Sequence, residues 1–169
     1  LLNSINLPAT AGEIIPKLRK LQAQFIGLKD LNLILDVKTR WNSTHNMLTR
    51  SLELRKALDA VASLDKDLQS LKLDHNVWNK IQEVANILKI FLRVIQIISL
   101  AKYPLLASTI PIYNYLIKEL ELYHNNLDLS YEVTIAINMG LKKLKTYYSK
   151  TNDLAIYTIA VMLDPWLKL

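Results

Sequence analysis

The residues best suited to chemistry lie in one short run, Asp36-Val-Lys-Thr-Arg-Trp-Asn-Ser-Thr44. Arginine beside tryptophan serves two parts of a nucleic acid at once. The guanidinium of Arg40 makes forked hydrogen bonds to phosphate oxygens, and the Trp41 indole offers a flat surface on which an unpaired base stacks. Such stacking is worth about 1–3 kcal/mol per base. The same run also reads as plain helix-start chemistry, with Thr39, Asn42 and Ser43 as caps and Trp41 as a core anchor. Taken alone, the residues favour that second reading.

Other candidates for chemistry fall away. Asp65/Asp67 and Glu119/Glu121 are spaced by two, which on a helix points the members of each pair in different directions. They read as solvated surface, not as an acid–base or two-metal pair. His45, His75 and His124 are isolated and cysteine is absent, so neither a zinc site nor a thiolate nucleophile is expected. No Gly-rich phosphate loop or nucleophile elbow is present. No catalytic residue, no metal ligand and no cofactor is expected in this chain.

The elements that must position Arg40 and Trp41 follow from composition and period. The chain has 169 residues, 51% apolar and 21% charged, with only 3 Gly and 5 Pro. That composition excludes a disordered chain and a loop-rich all-β protein. Lys and Arg exceed Asp and Glu by 21 to 15, and residues 1–50 hold seven bases against three acids. A basic end on a near-neutral body permits an anionic partner without requiring one. The most apolar window, 87–101, is shorter than a bilayer span and carries Lys89, Arg93 and Gln96, so no membrane partner is expected. Starting at Leu1 and stopping at Leu169, the chain is expected to be a fragment of a longer protein.

Apolar residues at spacings of three and four predict a helix over 13–28 on Ile14, Leu18, Leu21, Phe25 and Leu28. The alternation of Leu31, Leu33, Leu35 and Val37 reads as a short extended segment, so that 31–44 pairs an extended stretch with the Arg-Trp run. A helix to about Ala62 follows, burying Met47, Leu48, Leu52, Leu54, Leu58 and Val61, and a polar loop with Asp65 and Asp67 ends it. Asp74 caps a central helix over 75–101 whose polar stripe is confined to Asn79, Glu83, Asn86, Lys89, Arg93 and Gln96. Ile98 is counted in its core face. Tyr103-Pro104 breaks it. Ser108 or Thr109 opens a helix to about His124, and Ser130 opens another on Val133, Ile137, Leu141, Leu144 and Tyr148, with Lys142 and Lys145 outward. Asn152 or Asp153 is expected to cap a last helix over 154–163, closed by Asp164-Pro165. The sum is one all-α domain of about six helices spanning 1–169.

The run LDVKTRWNSTHNMLTRSLELRKAL over 35–58 resembles the Arg-Trp segment of hAT (hobo–Activator) DNA transposases, fungal members in particular. Trp78 with the Leu88–Leu92 stretch resembles the family's "W…iL.pF" helix. Tyr103-Pro104 with Ile110 to Tyr113 resembles its "S..YPT…ip.Y" region, Lys143 with Tyr147-Tyr148 its "K..kYy" helix, and Ala160 to Lys168 its "iA.iLDPr.K" closing motif. Trp166 stands where the family favours arginine.

The resemblance implies the helical insertion domain of an RNase H-like transposase, in which a DDE carboxylate triad carries out metal-dependent strand transfer. All three carboxylates would lie outside this chain, as would the BED-type zinc finger and the dimerisation region; Asp36 and Asp164 match flanking positions only. Residues 164–169 would return towards the catalytic core. For the full-length enzyme the resemblance implies Mg or Mn, a nuclear location, transposon-end or flanking DNA as partner, and a homo-oligomeric assembly. Trp41 would stack on a base flipped during hairpin formation, supported by Arg40. The alternative is a domesticated relative whose helices form a protein–protein scaffold.

Overall fold

A computed structural model describes residues 14–19, 41–64, 69–100, 106–125 and 129–165, and every regular element among them is helical. The elements are α1 (14–19), α2 (Trp41–Glu53), α3 (Arg55–Leu64), α4 (His75–Leu100), α5 (Thr109–His124), α6 (Tyr131–Asn152) and α7 (Ala155–Leu163). Short 3-10 turns at Gln69–Leu71 and Leu106–Ser108 precede α4 and α5. The expected all-α class is what the chain adopts. The expected extended stretch over 31–37, the Asp65/Asp67 loop, the Tyr103-Pro104 break and Trp166 all lie outside the described residues.

Helix α4 is the axis of the molecule, and two cores are strung along it. The first gathers Leu18, Met47, Leu48, Leu58, Ala62 and Leu73 around Trp78, Ile81, Ala85 and Leu88 on the N-terminal half of α4. The second gathers Leu116 and Leu120 of α5 with Val133, Ile137 and Leu141 of α6 around Ile90, Phe91 and Val94. Each buried Leu, Ile or Phe contributes about 1.5–3 kcal/mol of transfer free energy, so both cores hold their helices by side-chain burial, not by propensity.

Helix α4 begins as its sequence demands. The Asp74 carboxylate accepts the Val77 N–H at 2.7 Å, satisfying a backbone donor that the first turn would otherwise leave unpaired. Where α4 passes the first core, Trp78 is 1% exposed. Its indole N–H donates to Asp59 Oδ1 of α3 at 3.0 Å, and the Arg55 guanidinium lies 5.4 Å from the ring centroid. A large apolar body is thus sealed in while its one polar atom finds a partner.

Four departures from the sequence reading have local causes. The single helix expected up to Ala62 is divided at Leu54, although Leu54 still donates to Arg50 O and Leu58 to Leu54 O. Just before it, the buried Ser51 hydroxyl donates to Met47 O at 2.7 Å, a back-bond that bends helices. Ile98, expected in the core, is 53% exposed. It belongs to the last turn of α4, beyond the second core's last α4 residue, Val94.

Nor does the Ser108 side chain cap α5; its backbone is already helical because a 3-10 turn leads into it. Finally, α6 runs on to Asn152, with the Asp153 N–H donating to Ser149 O. Asn152 and Asp153 therefore finish α6, and Leu154, with extended backbone, takes the position before α7. Asp164 is extended ahead of Pro165 and stops α7, as an X-Pro pair requires.

A polar clasp fixes the second core against α4. Glu83 accepts the Ser130 N–H at 3.1 Å and the Ser130 hydroxyl at 2.6 Å, while the Tyr123 hydroxyl donates to the Glu83 carbonyl at 3.4 Å. One turn earlier on α4, Lys80 Nζ meets Glu132 Oε1 at 2.8 Å. Lys80 and Glu83 of α4 therefore hold the start of α6.

Candidate nucleic-acid interface

The Arg-Trp run sits at the head of α2. Trp41 is the first residue of that helix, so Trp41 to Thr44 form its first turn and the helix starts inside the cluster of capping residues. Arg40 and the Trp41 side chain lie outside the described residues. What the structure does describe is how α2 is anchored. Met47, Leu48 and Ser51 are buried on one face of α2, packed towards α4, and fix the helix axis.

The first turn of α2 carries no acidic side chain. That end of the helix carries its positive pole, and the first turn itself adds no carboxylate to repel an anion. Arg50, at the far end of α2, is tied to Glu53 at 2.8 Å. The Asn42 side-chain oxygen is buried without a hydrogen-bond partner, an arrangement that costs about 1–3 kcal/mol. It lies directly after the Arg-Trp pair.

The remaining candidates behave as surface. Glu121 pairs with Lys145 at 2.7 Å across α5 and α6, so it is engaged in an ion pair instead of facing Glu119. His45 Nδ1 lies 3.5 Å from the Asn46 side chain on the surface. Among the described residues, no three His, Asp or Glu side chains come together as a metal ion would need. No helix among them is long and apolar enough to cross a membrane.

Two tyrosines of α5 are held towards the neutral phenol. Burial, and the neighbouring Tyr157 and Tyr147, push the Tyr113 phenol above its ordinary value, and burial raises Tyr123 likewise. Both stay neutral near pH 7. Tyr113 packs on Tyr148 with ring centroids 6.0 Å apart, joining α5 to α6.

Sequence reasoning missed Glu83 as a contact between elements, because its partner Ser130 lies far along the chain. It also missed how the lysines of α6 line a groove. The run Lys142-Lys143-Leu-Lys145 was a visible signal for a basic face, but its shape was not.

Residues 3–87, half of the chain, match the family described as the ZBED1 RNase-like helical domain. That stretch takes in the first core except for Leu88. Over 133 residues, 79% of this chain, the sequence is 30% identical to the proposed transcriptional regulator tpeD of Talaromyces stipitatus. The aligned portion makes up 16% of that protein's length. No solved structure matches the chain. With its all-helical fold and a first core assembled, but for Leu88, within the matched residues, the chain belongs to the ZBED1 RNase-like helical domain family, a helical domain of hAT-like, transposase-derived descent.

Proposed function

We propose that this domain handles DNA for a hAT-type, transposase-derived protein, gripping a distorted or unpaired segment through Arg40 and Trp41. The observation that carries this reading is the position of Trp41 as the first residue of α2, a helix anchored by Met47, Leu48 and Ser51 in a core that the family match covers. An aromatic at the tip of a rigid helix pays little ordering entropy when a base stacks on it. Arg40 would hold the adjacent phosphate. Stacking of this kind suits support of hairpin formation at a transposon end.

The chain supplies no catalytic group under this reading. Strand transfer belongs to a carboxylate triad elsewhere in the whole protein, working with Mg or Mn and reached through residues 164–169. DNA, that catalytic core and further copies of the whole protein are the partners, and the nucleus is the place of action.

A fluorescence-anisotropy titration tests the reading. Wild type should bind a duplex carrying unpaired bases more tightly than an intact duplex, and Trp41→Ala should lose about tenfold on the distorted duplex alone, the equivalent of one stacked base. Equal binding of both duplexes by both proteins would refute it.

A second reading has one observation in its favour. The relative aligned over 79% of this chain is a proposed transcriptional regulator. Under that reading the helices serve a domesticated protein as a scaffold for other proteins. DNA binding would then be weak, steeply salt-dependent and indifferent to distortion.

A further inference from the structure

A second cationic surface lies on α6, at the end of the molecule served by the other core. A shallow open groove of about 670 Å³ runs along that helix, with Asn138, Leu141, Lys142, Lys145, Thr146, Ser149 and Lys150 on its described wall. No acidic residue is among them. Between Gly140 and Lys150 the sequence holds four lysines and no Asp or Glu.

Helix geometry makes this a track. At 1.5 Å per residue, Lys142 and Lys150 are about 12 Å apart along the axis, with Lys145 between them. That length lets the lysines reach more than one phosphate of a single strand, whose charges repeat regularly along the duplex. Ser149 places a hydroxyl between the ammonium groups, while the Thr146 hydroxyl donates to the Lys142 carbonyl at 2.9 Å, and Lys150 Nζ stands 5.9 Å from the Tyr147 ring centroid. Lys145 is held by Glu121, but both side chains are about half exposed, and such a pair is weak in water and readily exchanged for a phosphate.

From this we infer that the α6 groove is a binding site for the sugar–phosphate backbone of DNA, separate from the Arg-Trp tip. Charge and spacing favour a polyanion of regular phosphate repeat. The inference shares its partner with the DNA-handling reading but not its residues, and the two fail separately.

The test uses the 169-residue chain, a fluorescein-labelled intact 20-base-pair duplex and a salt series. Lys142→Gln, Lys145→Gln and Lys150→Gln are combined in one protein. Lys56→Gln, Lys72→Gln and Lys89→Gln, also exposed and away from α6 in sequence, form an equal-charge control. The groove variant should bind at least about tenfold more weakly at 0.1 M salt, and the slope of log K against log salt should flatten by about two to three. The control should change by less than about threefold, and Glu121→Gln, which releases Lys145, should tighten binding. Circular-dichroism melts confirm that each variant is folded.

Equal weakening by both triple variants would overturn the site. So would a groove-dependent affinity for an acidic peptide or for phosphatidylserine vesicles exceeding that for DNA. If Trp41→Ala spares the distorted duplex, the Arg-Trp reading falls while the groove stands.

Discussion

The two cores on α4 are built to different depths. In the first, Leu18, Met47, Leu48 and Leu58 have no exposed surface and Trp78 almost none. In the second the deepest residue is Leu120 at 2%, and Ile90, Phe91, Leu116 and Leu141 each keep a thin exposed edge. The second compensates with polar contacts, Glu83 on Ser130 and Lys80 on Glu132, where the first uses one buried indole bonded to Asp59. The family match ends one residue short of Leu88, at the passage from one core to the other. A tightly filled unit thus carries the Arg-Trp tip, and a shallower, clasped unit carries the lysine groove.

Further along, burial runs out. Helix α7 is almost wholly apolar and buries no residue fully, leaving Met162 67% and Leu163 70% exposed. An apolar face of that kind marks a contact surface. Purified 1–169 is therefore expected to self-associate at high concentration.

The contrast between the cores is broken most directly at Trp78. Trp78→Ala should cost about 3–5 kcal/mol in urea denaturation, from the void and the lost indole hydrogen bond to Asp59 together. Trp78→Phe, which keeps most of the volume and loses the hydrogen bond, should cost clearly less. Leu120→Ala in the second core should cost about 2–3 kcal/mol, the lower part of the range for a buried leucine, because its surroundings can relax towards solvent. Equal losses at the two sites would remove the distinction in depth.

Glu83→Ala, read by the same denaturation, should cost about 2 kcal/mol, since a charged acceptor is withdrawn from both Ser130 donors. Unchanged stability would mean that the clasp contributes nothing net.

The smallest effect is expected at Glu132, and it depends on pH. The hydrogen bond from Lys80 holds the Glu132 carboxyl below its ordinary value. A depressed folded-state pKa adds stability above the unfolded-state value and forfeits it as pH falls through the folded-state value. Glu132→Gln should therefore be slightly less stable than wild type at pH 7, and the difference should vanish in strong acid. A difference that persists at low pH would assign the effect to something other than ionisation.

How much of this was legible in the sequence depends on the range of the interaction. Met47, Leu48, Leu58, Trp78, Ile81, Val133 and Ile137 were readable because a 3.6-residue period marks a buried face without knowledge of its partner. Asp74 was readable because a cap acts within one turn. The division at Leu54 was not, since the Ser51 back-bond competes with a pattern that reads as continuous helix. Ile98 failed for a different reason: period says which face is apolar but not how far the neighbouring helices reach. Asn152 and Asp153 carry cap chemistry, yet such residues also finish helices, and here α6 claimed them. The Arg-Trp run could be read both as chemistry and as the start of a helix, and α2 does begin at Trp41; the core that anchors this helix came only with the fold.

The most direct test of the Arg-Trp tip is photocrosslinking. A duplex with 5-iodouracil at its unpaired positions would be irradiated with the 169-residue chain and the crosslinked peptides mapped by mass spectrometry. Crosslinks at Trp41 that disappear on competition with unlabelled distorted duplex are the expected result. Crosslinks confined to Lys142–Lys150, or none at all under conditions where the duplex is bound, would contradict base stacking at the head of α2.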